Sequence, residues 1–516
     1  MISSRLDTVI KVIYFALPNR IGGHILVWHI VFFFHKFRLS SFTKIFITPS
    51  IMKTIHFRSF PLLSLLIILI GPGACSPPEK PLADVPFTAR ELFPEPPRPE
   101  GQSDVIELRC EPIDTVRIAF IGVGSRGTGA VHRYTFLDGV KIVALCDLVP
   151  ENLEQAQQIL KESGLPEADL YPGEEDWKKV CEREDVDLVY VCTHWDLHTP
   201  IAVYAMEQGK HVATEVPAAL SIAECWQLVN TAEKTRRHCM MLENCNYDFF
   251  EMTTLNMVRQ GLLGEIVHVE GAYIHDLRES LFNEVDGYWN MWRLRHNQNR
   301  NANLYPTHGL GPLCHILNIH RGDKMEYLVT VASDQFGMTD YATEKFGEDS
   351  DYAKRDYLKG DMNTTLIKTA KGKTIMVQHD VINPRPYSRI HMISGTRGFV
   401  QKYPVMGIAL DPEAHTFMDN EQMEELLARY EHPITREVGE LARKVGGHGG
   451  MDFTMDYRLI HCLRNGLPLD EDVYDAAEWS SIIELSEKSI ENQGMPVKIP
   501  DFTRGAWNKV EEVTYY

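Results

Sequence analysis

The sequence predicts an α/β protein in two folded parts. A doubly wound parallel sheet spans 113–246, and an α+β domain with a large, mostly antiparallel open sheet and C-terminal helices spans 247–516. Three observations predict this. Short apolar, β-branched runs alternate with helical stretches between residues 116 and 214. A glycine-rich turn follows the first of these runs, and an acid ends the second. Beyond Asn246 the runs alternate apolar and polar positions instead, the mark of strands with one covered face.

Residues 116–121 (VRIAFI) form a short apolar, β-branched run, the pattern of a buried strand. They lead into Gly122-Val123-Gly124-Ser125-Arg126-Gly127 and a helical stretch to about residue 137. A second run over 141–146 ends at Asp147. This is G-x-G-x-x-G between a strand and a helix, with an acid about 20 residues on, as in a Rossmann dinucleotide site. Gly122, Gly124 and Gly127 permit the tight turn and let backbone N–H groups meet a pyrophosphate at a helix N-terminus. Asp147 would accept hydrogen bonds from ribose hydroxyls, and its charge would repel a 2′-phosphate, so NAD is favoured over NADP. A strand over 187–192 follows, then Thr193-His194-Trp195-Asp196-Leu197-His198, then a helix over 199–208 stopped by Gly209. The next strand, 211–214, runs into Glu215-Val216-Pro217. In such a sheet the ligand lies at the strand C-termini.

In the second part, strands are expected over 266–273, 364–369, 373–380 and 389–394, with a helix over 307–320 despite Pro312. His308, near the start of that helix, is the first candidate for an acid/base, because imidazole titrates near neutrality. His308, His315 and His320 are not read as a metal site. A seven-residue step returns to one helix face but about 10 Å along it. The acidic stretch 344–361 lacks the glycine and spacing of a calcium loop and reads as a solvated loop. No metal is expected.

The chain has 516 residues, 44% of them hydrophobic, and a net charge of −19, so a nucleic-acid-binding surface is not indicated. Its ten cysteines show neither a disulfide framework nor a zinc knuckle. The front of the chain differs in character. Lys53 and Arg58, an apolar stretch over 62–70 and Gly71-Pro72-Gly73-Ala74-Cys75 resemble a lipoprotein signal over 52–75. Cys75 would then carry a lipid anchor, and the protein would be exported and held on a bacterial membrane. Residues 1–51 read as an over-extended start, with translation beginning at Met52, and the Pro-rich 76–112 as a linker.

The order GVGSRG, CD, VYVCTHWDLHTP and HVATEVP resembles the glucose–fructose oxidoreductase and inositol dehydrogenase-like family. That family usually carries Glu-Lys-Pro where this chain has Glu215-Val216-Pro217, and valine moves no proton. EVP, LEN, GAYIHDLR, WRLRH, LYPTHGLGP, PRPYSR and GHGGMDF resemble a narrower group, glycoside hydrolase family 109, from about 113 to 510. The resemblance implies an NAD-dependent glycosidase acting on terminal α-N-acetylgalactosamine of a glycan or glycoconjugate. NAD would be tightly bound and recycled, oxidising sugar carbon 3 transiently. A base would take the carbon 2 proton, the aglycone would be eliminated and water would add; NAD-dependent glycosidases are exceptions to the two-carboxylate rule.

It also implies site residues. His308 and Tyr387 would be catalytic. Tyr273, Arg293, Tyr305, Pro306, Thr307, His308 and Tyr387 would meet the sugar. Ser125, Arg126, Trp195, Asp196, Leu197, His198, Glu215, Val216, Asn244 and Tyr305 would join the glycines and Asp147 around the cofactor. His448 is a further sugar-site candidate. A second copy of the chain is a candidate partner, and a sugar or cyclitol oxidoreductase is the alternative reading.

Overall fold

The computed structural model describes residues 88–515 and, before them, the backbone of short strands between residues 11 and 50. Those strands, Lys11–Tyr14, Arg20–Ile21, His24–Ile25, Val27–Phe32 and Phe46–Ser50, pair antiparallel in two small sheets. The expected signal over 52–75, with Cys75, lies outside the described residues, as does the start at Met52. Among the described residues no helix is long and apolar enough to cross a membrane.

The first sheet is parallel and six-stranded: β1 (Val116–Ile121), β2 (Val140–Cys146), β3 (Asp169–Tyr171), β4 (Leu188–Val191), β5 (His211–Thr214) and β6 (Cys239–Met241). Their order is β6-β5-β4-β1-β2-β3, which reverses between β1 and β4. The gap outside the C-termini of those two strands is where ligands bind in open α/β sheets. Helices α1 (Ser125–Tyr134), α2 (Pro150–Glu162), α3 (Asp176–Glu182), α4 (His198–Glu207) and α5 (Ile222–Thr235) connect the strands, and β1 and β4 are buried almost throughout, as a sheet covered on both faces requires.

The second sheet holds β7 (Ile266–Ile274), β8 (Met325–Ala332), β9 (Asn363–Thr369), β10 (Thr374–Asp380), β11 (Ser388–Gly395), β12 (Gly398–Gln401), β13 (Gly407–Leu410) and β14 (Val497–Lys498). The order is β13-β12-β11-β7-β10-β9-β8-β14, antiparallel except for β7 beside β10. The α+β expectation is met. Helices α6 (Phe249–Arg259), α7 (Arg278–Leu281), α8 (Trp292–Asn299), α9 (Thr307–Leu317), α10 (Gly337–Phe346), α11 (Asn420–Arg429), α12 (Pro433–Val445), α13 (Met451–Asn465) and α14 (Val473–Glu491) follow in the chain, and α9 and α14 cover one face of this sheet. The other leaves Val267, Val331 and Leu366 exposed.

Three features differ from the sequence reading. The Pro-rich segment, in its described part 88–112, is a strap laid along the body rather than a free linker. Val105 is buried and its N–H donates to Tyr474 Oη at 3.0 Å, while Arg98 pairs with Glu233 at 3.1 Å. The acidic stretch 344–361 begins inside a helix, Gly337–Phe346, and ends with Lys359 and Asp361 buried. Finally, the first sheet is completed by the C-terminus. Met455, Leu459, Ile460 and Leu463 of α13 (Met451–Asn465) share a core with Val116, Ile118 and Phe120 of β1.

Candidate active site

A cleft of about 1550 Å³ opens along the C-terminal edge of the first sheet and runs to the second domain. Small-ligand pockets hold about 300–1,000 Å³, so this one has room for a dinucleotide and a sugar together. Its floor is the glycine turn. Gly122 has φ +88°, and a Cβ there would lie 2.5 Å from the Cys192 carbonyl oxygen, so β1 and β4 approach too closely for any side chain. Gly124 faces open space except for Asn152, 3.6 Å away, and leads into the uncapped first turn of α1. That exposed set of backbone N–H groups fits a pyrophosphate. Asp147 directly follows β2, with one carboxylate oxygen accepting from Val123 N at 2.7 Å and the other from Val149 N at 2.8 Å. The oxygen bonded to Val149 N also accepts from Asn152 Nδ2 at 3.1 Å, so the one bonded to Val123 N keeps the lone pair for a ribose hydroxyl.

The far wall is aromatic. The Arg293 guanidinium is buried over the rings of Tyr305 (4.5 Å), Trp195 (4.9 Å), Tyr288 (4.9 Å) and Tyr273 (5.9 Å). It donates to Tyr288 Oη at 2.8 Å, and its Nη2 is buried with no hydrogen-bond partner among the described residues. Such a donor suits a ligand oxygen. Tyr273 lies 4.6 Å from Tyr305, 5.3 Å from His308 and 6.3 Å from Tyr387 between ring centroids. Burial pushes the Tyr273 phenol up to about 12, the nearby Arg293 charge notwithstanding, and pushes Tyr387 well above its ordinary value too. Both therefore remain hydrogen-bond donors near neutral pH. Tyr387 Oη accepts from Arg389 Nη1 at 3.1 Å.

His308 is set by close backbone packing. Pro306 precedes the first helical residue of α9, Thr307, and His308 follows on the first turn. A Cβ on Gly309 would lie 2.4 Å from Ala272 N of β7, and one on Gly311 would lie 2.7 Å from Glu243 Cγ. The glycines of THGLG thus let α9 sit directly on β7 and against the end of β6. His308 Nδ1 meets Glu243 Oε1 at 2.7 Å and Oε2 at 3.0 Å. Glu243 is fully buried. Burial is the strongest influence on it and pushes it up, but the His308 ring and the Cys245 N–H together hold it below the usual carboxylate value. Pro312 has no N–H, so the His308 carbonyl lacks its usual helical donor.

The family model for the glycosyl hydrolase 109 C-terminal domain matches residues 247–509, and that for the oxidoreductase family with an NAD-binding Rossmann fold matches 116–243. An alpha-N-acetylgalactosaminidase of Bacteroides fragilis is 57% identical over 411 residues, which cover 79% of this chain and 97% of that one. The chain belongs to glycosyl hydrolase family 109. A family 109 protein of Phocaeicola vulgatus is 56% identical over 408 residues, covering 79% of this chain and 99% of its own. Among solved structures, a levoglucosan dehydrogenase in complex with NADH and levoglucosan superposes with TM-score 0.58 at 16% identity, over 75% of this chain and 100% of that one. An inositol dehydrogenase homolog with NAD+ from Azotobacter vinelandii gives 0.57 at 19%, over 76% and 100%. At those identities the likeness is one of fold.

Within this family 109 chain, several expected cofactor residues are engaged with the protein. Arg126 pairs with Glu215 at 2.8 Å and with Asp452 of α13 at 2.6 Å. Asn244 is buried and donates to Asp452 Oδ1. His198 sits on the cleft wall, but its ring nitrogens meet the carbonyl oxygens of Pro217 (2.8 Å) and Thr193 (3.0 Å), so it ties the β4 loop to the β5 loop. Trp195, Leu197 and Val216 line the cleft, while Asp196 stands beside it, held well below the usual carboxylate value by His194 and His296. Val216 is buried and offers no titratable group. His448, read as a sugar-site candidate, lines the same cleft near the glycine turn, its Nδ1 2.9 Å from Asp452 Oδ2 and 3.4 Å from Arg126 Nη1. Sequence reasoning missed Glu243 and Asp452. Glu243 had a signal, since it follows a strand at the ligand-bearing edge; Asp452 lay in a glycine-rich segment far along the chain.

Proposed function

We propose that this chain is an α-N-acetylgalactosaminidase that removes terminal α-linked N-acetylgalactosamine from glycans or glycoconjugates and uses NAD in each turnover. The observation that carries the reading is the pairing of His308 with the buried Glu243, facing an aromatic and arginine pocket in the same cleft as the dinucleotide turn. The name of the 57% identical relative supports the sugar. The backbone N–H groups after Gly124 and the Asp147 carboxylate would hold the NAD diphosphate and ribose; bound there, NAD supplies reversible hydride acceptance at sugar carbon 3. A neutral His308 that donates Nδ1–H to Glu243 turns the Nε2 lone pair to the pocket, where it takes the carbon 2 proton. Arg293 donates to a sugar oxygen through its unpartnered Nη2, and Tyr273 and Tyr305 pack on the sugar's C–H faces. Tyr387, kept protonated, donates to the oxygen on which charge develops. His308 then returns its proton as water adds.

The deciding experiment is hydrolysis of an aryl α-N-acetylgalactosaminide in deuterated water, with the released sugar examined at carbon 2. Deuterium at carbon 2 is the expected result. No cleavage across a panel of aryl glycosides, with net NADH formed from free sugars or cyclitols, overturns the reading in favour of the oxidoreductase.

Three further readings belong to the same proposal. NAD stays bound between turnovers, which is supported by the clasp of Arg126 between Glu215 and Asp452; heat-released nucleotide at one per purified chain tests it. The protein is exported and lipidated at Cys75, tested by mass analysis of the mature N-terminus. It forms a homodimer through the open face of the second sheet, supported by exposed Val267, Val331 and Leu366 and tested by light scattering.

A further inference from the structure

Cys245 has no part in the chemistry above, yet it stands beside the base. It lies in the turn Asn244–Tyr247 after β6, fully buried, and its thiol makes one long contact, to Asn244 Oδ1 at 3.6 Å. One ligand atom each from Cys245, Glu243 and His308 lies within 4.8 Å of the other two. No other set of three such side chains meets this condition among the described residues. Local structure brings them together. The Cys245 N–H donates to Glu243 Oε1 at 3.1 Å, which fixes the carboxylate over the turn, and Gly311 lets α9 deliver His308 to the same spot.

Imidazole nitrogen, carboxylate oxygen and thiolate sulfur are the donors zinc takes, at about 2.0–2.3 Å each; in a tetrahedron such ligands stand about 3.3–3.8 Å apart. The His308–Glu243 contact of 2.7 Å would open by under about an ångström to admit the ion. Carboxylate and thiolate together match the charge of a divalent cation. The neighbouring Arg389 is already paired with Asp248 at 2.8 Å and Glu251 at 2.6 Å. Of the three, His308 lines the cleft, with Asn244 beside it.

We infer that Glu243, Cys245 and His308 form a site for Zn²⁺ or a similar thiophilic divalent ion, and that occupancy switches the enzyme off. On binding, the thiol proton leaves to solvent and sulfur bonds the metal. The imidazole stays neutral, with one nitrogen on the metal and its proton on the other. No lone pair then faces the sugar, and the Glu243 hydrogen bond is gone. No ion enters the steps proposed above, so the metal competes with the proton acceptor.

The test uses the full chain as purified, with its nucleotide, after chelator treatment. Co²⁺ serves as a spectroscopic probe, read by its thiolate charge-transfer band in the near ultraviolet. One Co²⁺ per chain with that band is expected in wild type and in Cys110→Ser, and neither in Cys245→Ser. In the aryl glycoside assay, Zn²⁺ should inhibit wild type. Cys245→Ser, active without zinc, should need at least about tenfold more, since losing even an outer partner costs a metal site about 10–100-fold. Cys245→Ala repeats both measurements should the serine variant misfold. An unchanged cobalt band or equal zinc sensitivity in the Cys245 variants overturns the site, as does no cobalt binding in wild type. The inhibition arm rests on the glycosidase reading. The cobalt arm needs no substrate, so failure of one is distinguishable from failure of the other.

Discussion

Replacing Glu243 by glutamine removes one charge and almost no volume from a fully buried position, so it tests what the carboxylate does for His308. Glu243 Oε1 lies 2.7 Å from His308 Nδ1 and 3.1 Å from the Cys245 N–H, and Oε2 lies 3.0 Å from the same Nδ1. A glutamine whose carbonyl oxygen takes the Oε1 place keeps both hydrogen bonds and the tautomer, and loses only the charge assistance. Hydrogen bonds to charged groups contribute about 1.5–3 kcal/mol. At about 1.36 kcal/mol per decade, that is roughly a 10–150-fold loss. If the amide rotates and donates to Nδ1 instead, the proton sits on Nε2 and no lone pair faces the sugar. The loss then approaches the roughly 10⁴-fold seen when a histidine base is held in the wrong tautomer.

Either way the interaction strengthens as imidazole takes a proton, so the loss should fall on kcat with KM little changed. The assay is steady-state hydrolysis of an aryl α-N-acetylgalactosaminide by protein with verified nucleotide content and wild-type Tm. A folded, nucleotide-loaded Glu243→Gln protein within about threefold of wild-type kcat refutes the claim that this carboxylate orients and charges the base.

Three other perturbations are informative. Gly311→Ala puts a methyl 2.7 Å from Glu243 Cγ, so α9 must shift; stability should fall by about 1–3 kcal/mol and kcat by more than the lost stability explains, checked by urea titration beside kinetics. Asp452→Asn removes the shared anion of Arg126, Asn244 and His448; bound nucleotide per chain should fall, with about 3 kcal/mol of stability, as read by nucleotide release and Tm. Stability should also decline at both ends of the pH range. Burial opposes the charge on His320, but Glu478 and Asp475 outweigh it and raise the imidazole to about 10; that stabilisation is full below the ordinary value of 6.5 and lost as pH rises from there through about 10. Burial also opposes the charge on Glu251, yet Lys402 and Arg389 lower it to about 2, so its contribution is present above 4.5 and lost as pH falls from there toward 2. Tm against pH should lose its alkaline slope in His320→Gln and part of its acid slope in Glu251→Gln.

The parallel sheet was legible because its information is local. Strands β1, β4 and β5 are short, mostly apolar runs, and Gly122 and Asp147 follow β1 and β2 at the spacing of a strand–turn–helix unit. Strands β12 and β13 went unread because each is a four-residue run with no helix after it to mark a strand–helix unit, as β4 and β5 have. The cover on the first sheet was hidden for a different reason. Helix α13 lies more than three hundred residues after β1, and nothing in its own pattern says which apolar surface it meets. Asp452 inherits that opacity, since its partners Arg126 and Asn244 become neighbours only once α13 docks.

His308 was legible by chemistry and by the motif around it, but the carboxylate that gives it direction was not, because the pair spans the two domains. Glu243 lies just beyond the last strand of the first sheet, and His308 lies on the first turn of a helix seated on the second. Their 2.7 Å contact exists only if α9 can press against both sheets at once, which Gly309 and Gly311 allow. Helix α14 holds the same two bodies together: Ser480 accepts from Ala218 N just beyond β5, and Ser489 accepts from Thr330 N of β8. The base is therefore assembled by domain packing rather than carried by either domain. A small loss of fit along α14 should weaken the Glu243–His308 contact, and with it kcat, before it unfolds either sheet.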